Sequence, residues 1–183
     1  MTTTAKLTLE QFLAIPETKP ASEYVDGEVI QKPMPDQKHS LLQAFLARIL
    51  DEFLEITRLG VVGTEWRCIF GPPGFERPYV PDLIVVRRER QTPDRHFHGP
   101  PDLAIEILSP DQPAGEFAER ILFYVMHGVR LTWVIDPQRL IITAYVPGRE
   151  PRRLTVEDTL DGGGILPGFS VPVERIFARI RDL

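Results

Sequence analysis

The stretch Tyr79–Pro110, YVPDLIVVRRERQTPDRHFHGPPDLAIEILSP, decides how the chain is read. It holds two apolar runs, Leu83 to Val86 and Leu103 to Leu108, rich in β-branched residues and bounded by Pro and Gly. Runs of this kind form buried strands. Each carries a carboxylate where burial should forbid one. Asp82 stands at the entry of the first run, behind Pro81, and Glu106 in the middle of the second, between Ile105 and Ile107. An ionised group in such a strand costs several kcal/mol unless a cation or hydrogen bonds meet it. A metal ion shared by the two carboxylates would remove that cost.

Between the two strands lies a polar connection rich in Arg, Pro and His. Arg87, Arg88, Arg90 and Arg95 cluster there against Glu89 and Asp94, and Arg149, Arg152 and Arg153 cluster later against Glu150. Such loops fit either a phosphate-touching face or solvated surface arginines. His96 and His98 form an H-x-H pair, which on a strand puts both rings on one face and can bind zinc. The flanks are loop-like and no third ligand is close in sequence.

Upstream, Thr8 caps a short helix LEQFLAI with Leu9, Phe12 and Leu13 on one side, and Pro16 stops it. In SEYVDGEVI, Asp26-Gly27 between alternating segments is a type I′ hairpin signal. Glu23 on the first hairpin strand shares a face with Val25. It is either an acid pointing with the core or an exposed edge-strand glutamate. From Gln37 to Leu59, Leu42, Phe45, Leu46, Ile49, Leu50, Phe53 and Leu54 recur at helical spacing, with Gly60 as the C′ glycine. His39 lies near the start of this helix, a position that suits a surface or capping residue. Gly60 to Phe70 then reads as one strand and GPPGFERP as a turn.

Downstream, GEFAERILFYVMHG reads as a helix closed by Gly128, with Phe117, Ile121, Leu122 and Val125 inward and Arg120 one turn before Tyr124. LTWVIDP is another buried strand, LIITAYVPG its hairpin partner, and a run around Leu154 an extension. The ending reads as a loop and then a short helix from about Val173. This order of elements predicts an α/β protein with a mixed β-sheet flanked by helices.

The 183 residues are 43% hydrophobic and 26% charged, ordinary values for a globular protein, and suffice for a single domain over 1–183. No apolar run approaches the roughly 20 residues a membrane helix needs. MTTTAKLTLEQ lacks the apolar core of an export signal, so a cytoplasmic protein without membrane partners is expected. One cysteine, Cys68, excludes an internal disulfide and a multi-cysteine zinc site. A net charge of -5 argues against strong non-specific nucleic-acid binding.

Two acids on neighbouring strands with a third on another element are a usual way to hold Mg²⁺, which takes hard oxygen ligands and keeps several waters. Asp82 and Glu106 would be the ligands, the backbone carbonyl of Ile107 a further one, and Mn²⁺ an alternative ion. Glu23 would hold a metal-bound water or a second ion. Arg120 would supply the cation for charge developing at phosphorus.

The motifs SEYVDGEVI, His39 ahead of the long helix, PDLIVV, LAIEILSP, FYVMHGV followed by TWVIDP, and LPGF run in this order from Thr8 to about Phe177. Together they resemble the PD-(D/E)XK nuclease superfamily and, within it, the Uma-type restriction endonuclease family. The resemblance implies a restriction-endonuclease-like core. It also implies a Mg²⁺-dependent site for cleaving DNA, carried by Glu23, Asp82 and Glu106 with His39 at its edge. The superfamily lysine two residues after the second acid is absent, because Leu108 stands there. Uma-type sequences commonly put a lysine four residues before the helix tyrosine, a position held here by Arg120.

Arginine keeps the charge but cannot act as a base. Two function classes follow: an endonuclease hydrolysing DNA phosphodiesters, or a non-catalytic DNA-binding or assembly protein on the same fold. A third, a metal hydrolase of small phosphate or ester substrates, would rest on His96 and His98. A homodimer, joined through LIITAYV or the Trp133 run, is expected by analogy with double-strand cleavage. Asp82→Ala and Glu106→Ala are expected to abolish metal binding and leave the fold intact or slightly stabilised.

Overall fold

In the computed structural model, which describes residues 6–181 and 183, Thr8 caps helix α1 (Leu9–Ala14) through a capping box with Gln11. The first five residues of the stretch read for an export signal lie outside the described part. The hairpin follows as β1 (Ser22–Val25) and β2 (Glu28–Gln31), with φ of 51° at Asp26 and 96° at Gly27, the positive pair a type I′ turn needs. Asp36 caps α2 (Gln37–Thr57), and the helix ends on Arg58 at φ 55° rather than on Gly60.

Gly60 belongs instead to β3 (Gly60–Thr64), where an added Cβ would lie 2.3 Å from the Val86 carbonyl oxygen. Close approach of two backbones, not helix termination, requires glycine here. The segment expected as one strand to Phe70 is broken. The backbone turns left-handed at Glu65 (φ 48°), and β4 (Cys68–Phe70) starts a different sheet with β5 (Arg77–Tyr79).

The two central strands form as expected, β6 (Leu83–Arg87) and β8 (Leu103–Ile107), with the two-residue β7 (Phe97–His98) between them pairing on β4. Helix α3 (Ala114–Met126) leads to β9 (Leu131–Asp136), then β10 (Ile141–Tyr145) and β11 (Arg152–Leu154). Of the α3 residues expected inward, Leu122 is 60% exposed and Val125 half-buried; the buried residues of the helix are Arg120, Ile121, Phe123 and Tyr124. The presumed C-terminal loop is a strand, β13 (Leu166–Pro172), paired antiparallel with β12 (Thr159–Gly162), before α4 (Val173–Phe177).

The main sheet is mixed, in the order β11-β10-β9-β8-β6-β3, with β8 and β9 parallel and the other neighbours antiparallel. A parallel pair needs a long crossover, and α3 provides it. Strand side chains alternate between faces. Leu83, Val85, Leu103, Ile105 and Trp133 point to the side covered by α2 and α4, whereas Ile84, Val86, Ala104 and Val134 meet α3 and β4. Helices therefore flank both faces, and β6, β8 and β9 are apolar on both sides. β10 lies between β9 and β11, and Trp133 is fully buried. LIITAYV is thus not an edge strand, although Ile141, Thr143 and Tyr145 remain half-exposed on one face. Among the described residues no helix is long and apolar enough to cross a membrane.

Gly60→Ala should lose about 2 kcal/mol of stability in urea unfolding, since backbone cannot retreat from the new methyl. Gly115→Ala, in the open first turn of α3 with nothing within 4 Å, should gain up to about 0.5 kcal/mol.

Candidate active site

Asp82 and Glu106 stand on the same face of the sheet by register. The β6–β8 pairing runs from Val85↔Leu103 to Leu83↔Ile105 and stops. Beyond it the strands separate, and Asp82 on one side faces Glu106 and Ile107 on the other. The Ile107 N–H, left without a strand partner, donates to Asp82 Oδ2 at 2.7 Å. The carboxylate thus completes the ladder that the backbone abandons. The N–H and C=O of one strand residue point to the same side, so the Ile107 carbonyl faces this notch as well. The Asp82 carbonyl accepts from Glu65 N–H at 3.2 Å and from Gln43 Nε2 at 2.9 Å, which ties the strand entry to β3 and α2.

Side chains from three other elements close on the pair. His39 is buried, not at the surface, and its Nε2 lies 3.0 Å from Asp82 Oδ2. The helix start brings it there, with the His39 N–H capped by Asp36 at 2.7 Å. Lys32, just past β2, donates from Nζ to Asp82 Oδ1 at 2.6 Å and to the Val80 carbonyl at 2.8 Å. Arg120 and Tyr124, one turn apart on α3, face the same side. The Tyr124 hydroxyl donates to Glu106 Oε1 at 2.6 Å, and Arg120 Nη1 lies 3.4 Å from the same atom. Arg120 Nη2 pairs with Glu23 Oε2, and Glu23 Oε1 accepts from Val80 N–H at 2.8 Å. Glu23 is therefore the inward-pointing acid, 1% exposed.

Three buried carboxylates meet two permanent cations, Lys32 and Arg120. The protonation behaviour follows from that imbalance. Burial would raise Asp82, but Lys32 and His39 outweigh it and hold its carboxyl well below the ordinary carboxylate range. Glu106 goes the other way: burial raises it, and Arg120 and Lys32 do not fully offset the effect. Arg120 and Lys32 are both lowered by burial yet end above their ordinary values, through Glu106 and Glu23 for Arg120 and chiefly Asp82 for Lys32. Tyr124 is raised well above its usual value by burial and by Glu106, so it stays a hydrogen-bond donor.

A cleft of about 290 Å³ opens on this cluster, lined by Lys32, His39, Asp82, Glu106, Ile107 and Ser109 among others. Glu23 and Arg120 do not line it; they border a separate pocket of about 40 Å³ that opens beside the exposed Glu116 and Glu119 of α3. The constellation comes together, but in two tiers. Asp82, Glu106, Ile107 and His39 face the cleft, and Glu23 and Arg120 brace them from behind. Lys32 was not among the residues expected here. Its contact with Asp82 spans 50 positions, and nothing local in IQKPMP marks it.

Among the described residues, no group of three or more His, Cys, Asp or Glu is disposed to hold a metal ion. His96 and His98 accordingly gain no third ligand; His96 is 3.9 Å from Glu17, and His98 is exposed. Much of the arginine cluster after β6 is internally neutralised, with Arg90 on Asp102 at 3.0 Å, Arg87 on Glu89 at 3.0 Å and Arg95 on Glu17 at 3.3 Å. Of this cluster, Arg88 alone is without an acidic partner among the described residues.

Residues 9–174 match the Uma2 family, described as "Putative restriction endonuclease". A solved structure from Anabaena variabilis, described as "a putative nuclease belonging to DUF820", is 32% identical to this chain with a TM-score of 0.87. The match covers 94% of this chain and 98% of that one. Comparison with curated proteins gave no match.

Each carboxylate is hydrogen-bonded from within, so removing one leaves a buried partner behind, which the expectation of an intact or stabilised fold did not weigh. Glu106→Ala leaves the buried Tyr124 hydroxyl unpaired and Arg120 one partner short, and should cost about 2 kcal/mol in urea unfolding. Glu106→Gln retains an acceptor for Tyr124 and should cost clearly less.

Proposed function

The chain belongs to the Uma2 restriction endonuclease family, and from that premise we propose that it is a divalent-metal-dependent endonuclease hydrolysing phosphodiester bonds of DNA. The observation that carries this reading is the notch where β6 and β8 part. Two acids and a backbone carbonyl converge there on an open cleft, in a position that already accommodates a positive charge. The donor set is all hard oxygen, which fits Mg²⁺ or Mn²⁺ and not zinc. With two acids facing the cleft, most of the ion's shell would be water, as Mg²⁺ prefers.

Asp82, Glu106 and the Ile107 carbonyl would hold the ion. When bound, such an ion polarises a phosphodiester and lowers the pKa of an attacking water. The remaining work belongs to this chain's own groups. His39 and the Ile107 N–H fix the Asp82 carboxylate in one orientation. Tyr124 and Arg120 do the same for Glu106, and Glu23 anchors Arg120. Groups locked in this way need no reorganisation when charge develops at phosphorus.

A second reading, a DNA-binding or assembly protein without turnover, draws on one observation. Both Asp82 oxygens are already engaged, by Lys32, His39 and the Ile107 N–H. Supercoiled plasmid separates the two. Wild type with Mn²⁺ or Mg²⁺ should nick it and EDTA should abolish cutting. Asp82→Asn should slow nicking by at least about a hundredfold, since changes to groups merely supporting a metal ligand already cost up to that much. Mn²⁺ binding by calorimetry should be lost in the same variant. Plasmid bound but uncut by the wild type would establish the non-catalytic reading.

A further inference from the structure

We propose that Lys32 is the cation this site presents to a substrate phosphate, and that Arg120 is a positioning residue behind the carboxylates. The inference rests on the nuclease reading above and assigns the charge role within it. The strand gives no candidate, because Leu108, two residues beyond Glu106, is held by its N–H on the Ile135 carbonyl and packs among the apolar residues beneath α3. Lys19 also lines the cleft, but as an exposed side chain with no contact to Asp82 or Glu106 among the described residues; the two cations that touch these acids differ in direction.

Arg120 faces inward. Its guanidinium bridges Glu23 and Glu106, lies 5.3 Å from the centre of the Tyr79 ring, and borders not the cleft but the small separate pocket beside Glu116 and Glu119. A phosphate in the cleft would have the Glu106 carboxylate between itself and this group. Lys32 faces outward. It lines the cleft beside Asp82 and Glu106, and its root is fixed by the Lys32 N–H on the Ala21 carbonyl at 2.9 Å. An ammonium carries three donors. Two are used, on Asp82 and Val80, and the third has no partner among the described residues. A compact point charge with a free donor, anchored next to both acids, suits a phosphate oxygen.

The hairpin thereby supplies what the strand lacks. β1 and β2 bring Glu23 to the inner tier and Lys32 to the outer one. Lys32 would contact the phosphate directly, whereas Arg120 would act through Glu106 and Glu23.

The test uses Lys32→Gln, which removes the charge but keeps an amide donor for Asp82 and Val80, with Lys32→Met as a second variant and the equally charge-removing Arg120→Gln as the contrast. Binding of a fluorescein-labelled duplex is followed by anisotropy in Ca²⁺ across a salt series. The dependence of log affinity on log salt should flatten by about one in both Lys32 variants, the signature of one lost phosphate contact, and stay unchanged in Arg120→Gln. Plasmid nicking should fall by about a hundredfold or more in Lys32→Gln, the cost of losing one transition-state donor. An unchanged salt slope in Lys32→Gln overturns the proposal, as does an equal flattening in Arg120→Gln. If the wild type never nicks but Lys32→Gln still flattens the slope, the phosphate contact stands and the nuclease reading falls. If the wild type nicks and the Lys32 variants keep both slope and rate, the reverse holds.

Discussion

Burying three carboxylates at one end of a β-sheet is the constraint on which the rest of this structure turns. Glu23, Asp82 and Glu106 are each at most 3% exposed. Left alone, any one of them would cost more than a small protein can lose. Each is therefore met by a partner from a different element: Lys32 after the hairpin, His39 on α2, Arg120 and Tyr124 on α3. The hairpin, both central strands and two helices are held in mutual register by these contacts. Partial compensation is the informative part. Two permanent cations facing three acids leave the cluster short of positive charge, and Glu106, raised from its ordinary value chiefly by its burial, carries part of the strain.

Geometry follows from elementary rules applied at one point. Strand alternation puts Asp82 and Glu106 on the α3 side, together with Ile84 and Ala104. The end of the β6–β8 ladder leaves an unpaired N–H at Ile107, and Asp82 answers it. Spacing of four on α3 sets Arg120 and Tyr124 side by side over Glu106. None of these features requires the others locally. Together they open this buried end of the sheet onto the cleft, which is where a polar reaction can be run.

Much of this was legible in the sequence, because the signals were violations. An acid at the entry of an apolar strand and another inside one are hard to explain by solvation, so Asp82 and Glu106 stood out. Asp26-Gly27 announced the hairpin through its demand for positive φ, and the mixed sheet followed from the order of strands and helices. What failed to show was decided by contacts distant in sequence. Lys32 looks like any lysine at the end of a surface strand until the hairpin folds over Val80 and Asp82. His39 at a helix start gives no sign of its burial. The break at Glu65 is a left-handed residue of a type that does not advertise it, so β3 and β4 read as one strand. On α3, Leu122 and Phe123 are equally apolar, and periodicity alone did not fix which of them faces the core.

The arginine at position 120 looks different once its surroundings are known. A lysine there would be a single point charge between two carboxylates on opposite sides. A planar fork can engage Glu23 with one nitrogen and Glu106 with the other, stays charged at any relevant pH, and stacks on an aromatic face. Glu23, Glu106 and the Tyr79 ring offer it those three things. Arginine is thus the better brace and the worse reactant, and its presence describes the inner tier of the site. Whether the outer tier can do chemistry is governed by the groups that face the cleft, and there the charge is carried by a lysine from the hairpin.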